Sequence, residues 1–232
     1  NFEKGDLMEV LHNMTMSSEE TKILIMKNRT PNTTYPHPNY AYLDGCSIIM
    51  NHLEEHSKAA HNLCKTLRDT FPHAYINAYL TPPSAQAVAP HADDRDVLVW
   101  QQAGKKIWHV YNDPPVKFPF SSEQVGKSEQ YPVPNEILNQ TSKPYIDVTL
   151  NAGDILYIPR GFVHEAYTSS AHPSFHLTIA LATHDWAWQK VVSDAMASSC
   201  NASNNNSYTE VQIATIQGKI DNDGKNVQWR QS

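Results

Sequence analysis

The chain has 232 residues, 40% hydrophobic and 18% charged, enough to bury one sizeable core in a single main domain. Its longest apolar runs, Val97 to Trp100 and Leu177 to Ala182, fall far short of the roughly 20 residues that a membrane helix needs. A formal net charge of -6 argues against a broad basic face for nucleic-acid phosphates and leaves a basic protein as the better-matched partner.

The first residue is Asn1 rather than Met, so targeting is not readable from the N-terminus. Residues 1–50 are polar, broken by Pro31, Pro36 and Pro38, and read as a loosely organised lead-in of low functional content. From Asn51 to Thr70 the apolar positions Leu53, Ala59, Ala60, Leu63 and Leu67 recur at helical spacing and predict an amphipathic helix, ended by Phe71-Pro72. Short β-prone segments follow: Ala74 to Leu80, Val97 to Gln102, Lys106 to Tyr111, Tyr145 to Leu150, Ile155 to Ile158 and His176 to Ala182. No helices separate them, which indicates an antiparallel sandwich or barrel. Gly104 marks one hairpin turn and Asn151-Ala152-Gly153-Asp154 another. Pro114 to Pro144 reads as a long insertion between strands. Beyond Trp188 a helix-like stretch ends near Cys200, so that the main domain spans 51–200. Residues 201–232 are an Asn/Ser-rich linker and a tail that starts with a strand-like piece at Val211 and Ile213. Cys46, Cys64 and Cys200 form an odd set with no C-x-x-C pair, which favours a reducing compartment; the sequons at Asn13 and Asn32 carry little weight in so Asn- and Thr-rich a chain.

The chemistry concentrates in two stretches. In Pro90-His91-Ala92-Asp93-Asp94, residues two apart in extended backbone share a face, so His91 and Asp93 can bind one ion. A third ligand comes from the run Gly153 to His164, a turn, a strand, a Pro-Arg-Gly turn and then His164. Two histidines and one carboxylate leave open positions on an octahedral ion, as Fe(II) enzymes that must also hold a co-substrate and O₂ require. Alone, His-x-Asp arises easily by chance among twelve histidines; joined to the second stretch it is specific.

Together with Asn77-Ala78-Tyr79-Leu80-Thr81-Pro82-Pro83, Gly104-Lys105-Lys106-Ile107-Trp108 and His176-Leu177-Thr178, these stretches resemble the Jumonji-C (JmjC) domain of the ribosomal oxygenases, over roughly residues 43 to 188. The resemblance implies a mainly β fold, the double-stranded β-helix of the cupin or jelly-roll class, with flanking helices. It implies an Fe(II)- and 2-oxoglutarate-dependent dioxygenase, a histidyl hydroxylase of ribosomal proteins or a histone lysine demethylase, in the nucleus or nucleolus, with the cytoplasm as the alternative location. His91, Asp93 and His164 would ligate Fe(II), and Lys106 would pair with the distal carboxylate of 2-oxoglutarate. Asn77 and Tyr79 would hydrogen-bond the co-substrate, and Thr178 would add a hydroxyl. The partner would be a protein substrate, a basic ribosomal protein or a histone tail, with no direct nucleic-acid binding. Full-length members carry a helical dimerisation region and a winged-helix module after the catalytic domain; the Asn/Ser run and short tail here do not match them, which leaves dimerisation and substrate choice open.

Plain structural alternatives stand beside these roles. Lys105 and Lys106 face opposite ways in a strand, and alternation cannot choose between them; only the resemblance selects Lys106. Tyr79 and Trp108 could be core aromatics, and Asn77 could bond backbone at a strand end. Two other functions compete: a non-catalytic metal-binding cupin, and a zinc protease suggested by His52-Leu53-Glu54-Glu55-His56, which fits the inverted H-x-x-E-H pattern on a predicted helix.

Overall fold

The computed structural model describes residues 23–139 and 146–182, together with the backbone of two short strands near the C-terminus. The predicted helix after Trp188, the linker and the piece at Val211 and Ile213 lie outside the described residues. The main unit ends at Ala182. Its strands are β1 (Ile23–Lys27), β2 (Thr30–Pro31), β3 (Ser47–Met50), β4 (His73–Thr81), β5 (Asp96–Val110), β6 (Ile146–Asn151), β7 (Ile155–Ile158), β8 (His164–Tyr167) and β9 (Ser174–Ala182); its helices are α1 (Pro38–Leu43), α2 (Lys58–Leu67) and α3 (Asn135–Leu138). In the second unit β10 (Lys219–Ile220) pairs antiparallel with β11 (Val227–Gln228).

One sheet runs β2-β1-β3-β4-β9-β5, every pairing antiparallel, with β7 on the first half of β5. The second half of β5 pairs with β6 on one side and β8 on the other. This antiparallel architecture is the mainly β, cupin-like fold expected from the sequence.

Alternation along each strand sorts the side chains. Ala74, Ile76 and Ala78 of β4 and Phe175, Leu177, Ile179 and Leu181 of β9 pack in one apolar layer with Leu53, Ala60 and Cys64 under α2. The alternate residues of β4, β5 and β9 line the other face, where Val97, Val99, Trp108 and Val110 form a second cluster. The helix starts at Ser57, whose hydroxyl accepts the Ala60 amide at 3.3 Å, and ends at Arg68, whose guanidinium donates to Ala74 O at 2.7 and 3.1 Å.

Several sequence expectations are corrected. The helix predicted from Asn51 begins only at Lys58, after a 3-10 turn at Leu53–Glu55. Two bonds hold that turn on β4: Glu54 accepts the Ile76 amide at 2.9 Å, and the His52 amide donates to Asn77 Oδ1 at 3.1 Å. From Ile23 onward the lead-in belongs to the sheet, and all four residues of β3 are buried. Gly104 is no hairpin turn, since β5 runs unbroken for 15 residues. Its φ of +66° and the 1.9 Å that would separate a Cβ from Pro173 O show that glycine serves there for close backbone approach, next to a register shift between Gln101 and Ala103. The Asn151–Asp154 turn exists, but β6 and β7 each pair with β5 instead of with each other. The insertion after β5 builds a small core of its own, Val125 and Ile137 against Ala92 and Val163.

Candidate metal and co-substrate site

His91 and His164 face each other across an isolated antiparallel bridge, His91 N–H to His164 O at 3.1 Å and His164 N–H to His91 O at 2.9 Å. With Asp93 they place one ligand atom each within 4.8 Å of the others. Asp93 Oδ1 lies 3.8 Å from His91 Nε2, and Oδ2 lies 3.6 Å from His164 Nε2. Each imidazole is turned by a backbone carbonyl: Nδ1 of His91 meets Ala89 O at 2.8 Å and Nδ1 of His164 meets Phe162 O at 3.0 Å. With a proton on each Nδ1, both Nε2 lone pairs point toward the carboxylate, as metal ligation needs. The loops are stitched together, since Gly161 N–H donates to Asp93 O at 2.9 Å.

Burial, with the charge of neighbouring His164, pushes the His91 imidazole down to about 3, which keeps it neutral and free to ligate. Burial alone would raise the Asp93 carboxyl, but the Lys127 ammonium and the two imidazoles outweigh it and hold the group well below the usual carboxylate range. Two imidazoles and one anionic carboxylate are a donor set that fits a divalent first-row ion.

The three residues share a cavity with Tyr79, Val97, Val99, Lys106, Trp108 and Thr178. Lys106 is buried, 3% exposed, whereas Lys105 is exposed. The Lys106 ammonium donates to Thr81 Oγ1 at 3.1 Å and lies 5.8 and 5.9 Å from the Tyr79 and Trp108 ring centres. Among the described residues no carboxylate pairs with it, and burial pushes it down to about 7. A buried lysine with no anion beside it is costly unless the ligand supplies one.

Thr178 stands in register between Asn77 of β4 and Val99 of β5, and lines the cavity. Tyr79 stacks on His176, ring centres 4.8 Å apart at 9°. Asn77 is not part of the cavity wall, and its Oδ1 is taken by the His52 amide. Sequence reasoning missed Thr81, His176 and Lys127. Thr81 continues the two-residue period of Asn77 and Tyr79, and His176 precedes Thr178 by two, so alternation carried that signal; Lys127 sits in an irregular segment with none. Trp108 Nε1 and His176 Nδ1 are buried and find no hydrogen-bond partner among the described residues.

The zinc-protease reading loses its geometry. His52 takes a left-handed conformation (φ 54°) and caps the 3-10 turn, so no helix carries His52 and His56 on one face.

The model of the JmjC domain matches residues 49–191, and the chain belongs to that family. It is 37% identical over 153 residues to the bifunctional lysine-specific demethylase and histidyl-hydroxylase NO66 of Drosophila grimshawi, covering 65% of this chain and 19% of that protein. The NO66 of Dictyostelium discoideum is 37% identical over 142 residues, covering 60% of this chain and 26% of that protein. The chain thus spans about a fifth to a quarter of the length of these relatives. Among solved structures, E. coli ycfD matches with a TM-score of 0.57 at 18% identity, covering 84% of this chain and 50% of that one. A structure of YcfD, a ribosomal oxygenase, in complex with cobalt and 2-oxoglutarate matches with a TM-score of 0.51 at 18% identity, covering 85% of this chain and 50% of that one. At such identity the likeness concerns the fold. Among the described residues no helix is long and apolar enough to cross a membrane.

Proposed function

We propose that this chain is an Fe(II)- and 2-oxoglutarate-dependent dioxygenase domain that hydroxylates a protein side chain, with a ribosomal-protein histidine as the first candidate. One observation carries the reading: the cluster of His91, Asp93 and His164 shares a cavity with a buried Lys106 that no carboxylate among the described residues neutralises. His91, Asp93 and His164 would hold the ion on one face, and Lys106, set by Thr81, would take the far carboxylate of 2-oxoglutarate. Tyr79 and Thr178 would flank that co-substrate. Bound Fe(II), with 2-oxoglutarate and O₂, supplies the oxidising chemistry that breaks a C–H bond, with succinate and CO₂ as co-products. The chain itself contributes ligand orientation through the Ala89 and Phe162 carbonyls and water exclusion through Val97, Val99 and Trp108.

The partner would be a basic protein segment, a ribosomal protein or a histone tail, met in the nucleus or nucleolus. Lysine demethylation is the second reading, favoured by the bifunctional description of the NO66 relatives. Both reactions begin with removal of a hydrogen from carbon.

The test is anaerobic addition of 2-oxoglutarate to Fe(II)-loaded protein, followed by O₂ and a succinate assay. A weak visible charge-transfer band that needs His91, and succinate that needs both His91 and Lys106, is expected when each is replaced by Ala. Folded, metal-loaded protein that gives neither band nor succinate would sink the enzymatic reading and favour a binding-only cupin.

A further inference from the structure

The segment joining β5 to β6 brings a cation to the candidate metal ligands. Lys127 sets its ammonium directly on Asp93 Oδ1, the oxygen that also faces His91 Nε2 at 3.8 Å. The placement is built by backbone. Ala92 N–H donates to Val125 O at 2.8 Å, and Gly126 N–H donates to Tyr131 O at 2.6 Å. Gly126 approaches the ligand segment so closely that a Cβ would stand 2.4 Å from Pro90 O and 2.9 Å from His91 Cα. Lys127 therefore follows immediately on a contact that only glycine permits. The Lys127 side chain is 39% exposed while its partner carboxylate is only 16% exposed, so the pair reaches from the surface into the site.

We propose that Lys127 is a positioning residue of the metal centre, a fixed positive charge that orients the Asp93 carboxylate and limits how tightly the site holds a dication. The inference rests on the oxygenase reading above. Two effects of Lys127 oppose each other. Its hydrogen bond orients a ligand and so favours the ion, while its charge repels the ion. Between a unit cation and a dication a few ångströms apart, the Coulomb term at a protein's effective dielectric exceeds what one hydrogen bond contributes by orienting a carboxylate. Repulsion sets the sign, and the centre keeps an exchangeable ion in spite of two imidazoles and a carboxylate.

The experiment is Co(II) titration of the full chain by calorimetry, with the Co(II) ligand-field spectrum recorded alongside, for wild type, Lys127→Met, Lys127→Gln and Lys127→Arg. The two neutral variants should bind Co(II) about tenfold tighter, and Lys127→Arg should match wild type. Of the two neutral variants, only Lys127→Gln, which keeps a hydrogen-bond donor, should also keep the wild-type spectrum. Met and Gln variants that bind within twofold of wild type would reduce Lys127 to a surface contact, and weaker binding by both would reverse the sign; either overturns the inference. Thermal midpoints establish that each variant is folded, and two neutral variants guard against one failing to fold. Wild type that binds no Co(II) would remove the metal centre and the oxygenase reading with it, whereas unmoved variants beside a binding wild type remove only the role of Lys127.

Discussion

At the scale of single residues, the site is an arrangement of groups that are costly in the protein's own terms. Lys106 is the clearest case, an ammonium buried among Tyr79, Trp108 and Thr81 with no counter-charge among the described residues. Replacing it with Met keeps the shape and removes the charge, so thermal and urea unfolding should show a gain of roughly 1–3 kcal/mol, while succinate formation is lost. The same burial gives a pH dependence. Burial pushes Lys106 down to about 7, so above that pH the free protein holds it neutral, and an anionic co-substrate must recruit a proton to bind. Affinity for 2-oxoglutarate should therefore fall as pH rises above about 7, by up to about tenfold per unit, with uptake of close to one proton at about pH 8.5. Calorimetry in two buffers of different ionisation heat measures that uptake, and its absence would remove Lys106 from the co-substrate site. From the sequence alone the choice of Lys106 over Lys105 needed the family resemblance; in the fold one is buried and the other exposed. Lys127 was not legible at all, because its partner lies 34 positions away and only the folded insertion brings the two together.

Among the elements, β5 does the most positioning. Its first half faces β9 and β7, its second half faces β6 and β8, and Lys106 and Trp108 stand just past the irregularity between the halves. Gly104 permits that passage, so Gly104→Ala should destabilise the protein by roughly 2–4 kcal/mol in urea unfolding, through the clash with Pro173 O and the positive φ together. A cost below about 0.5 kcal/mol would mean that β5 can shift and that its register is loosely held. The strands from β4 to β9 were largely legible as β-prone segments cut by Pro and Gly, and in β4 alternation places Ala74, Ile76 and Ala78 with the residues of α2 while Tyr79 lines the cavity. The join inside β5 was not, since a glycine needed for close approach and a glycine that turns a hairpin look alike in sequence. The start of α2 was also hidden: apolar spacing continues back to Leu53, but the side chains of Glu54 and Asn77 capture backbone amides and hold that stretch on β4.

On the scale of the whole molecule, the candidate ligands come from two segments more than 70 positions apart, His91 and Asp93 before β5 and His164 at the head of β8. An ion bound by the folded protein alone raises its stability by mass action, so Co(II) at about a hundred times its Kd should add about 2.7 kcal/mol, visible as a higher thermal midpoint that a chelator reverses. His91→Ala should abolish the shift, and a shift that survives it would place the ion elsewhere.

The pairing of β5 also bears on how the protein is made. Among the described residues, the four strands that pair with β5, namely β6, β7, β8 and β9, follow it in the chain. During synthesis its 15 residues leave the ribosome with both edges open; β6, β7 and β8 can pair with it as they emerge, and the edge of its first half that takes β9 stays open until Ala182. Non-local pairing of this kind folds slowly and leaves an adhesive strand open to other chains. The newborn protein is thus most vulnerable while the strand that bears Lys106 and Trp108 waits for its neighbours, and a chaperone that shields extended, half-apolar segments would act in that interval.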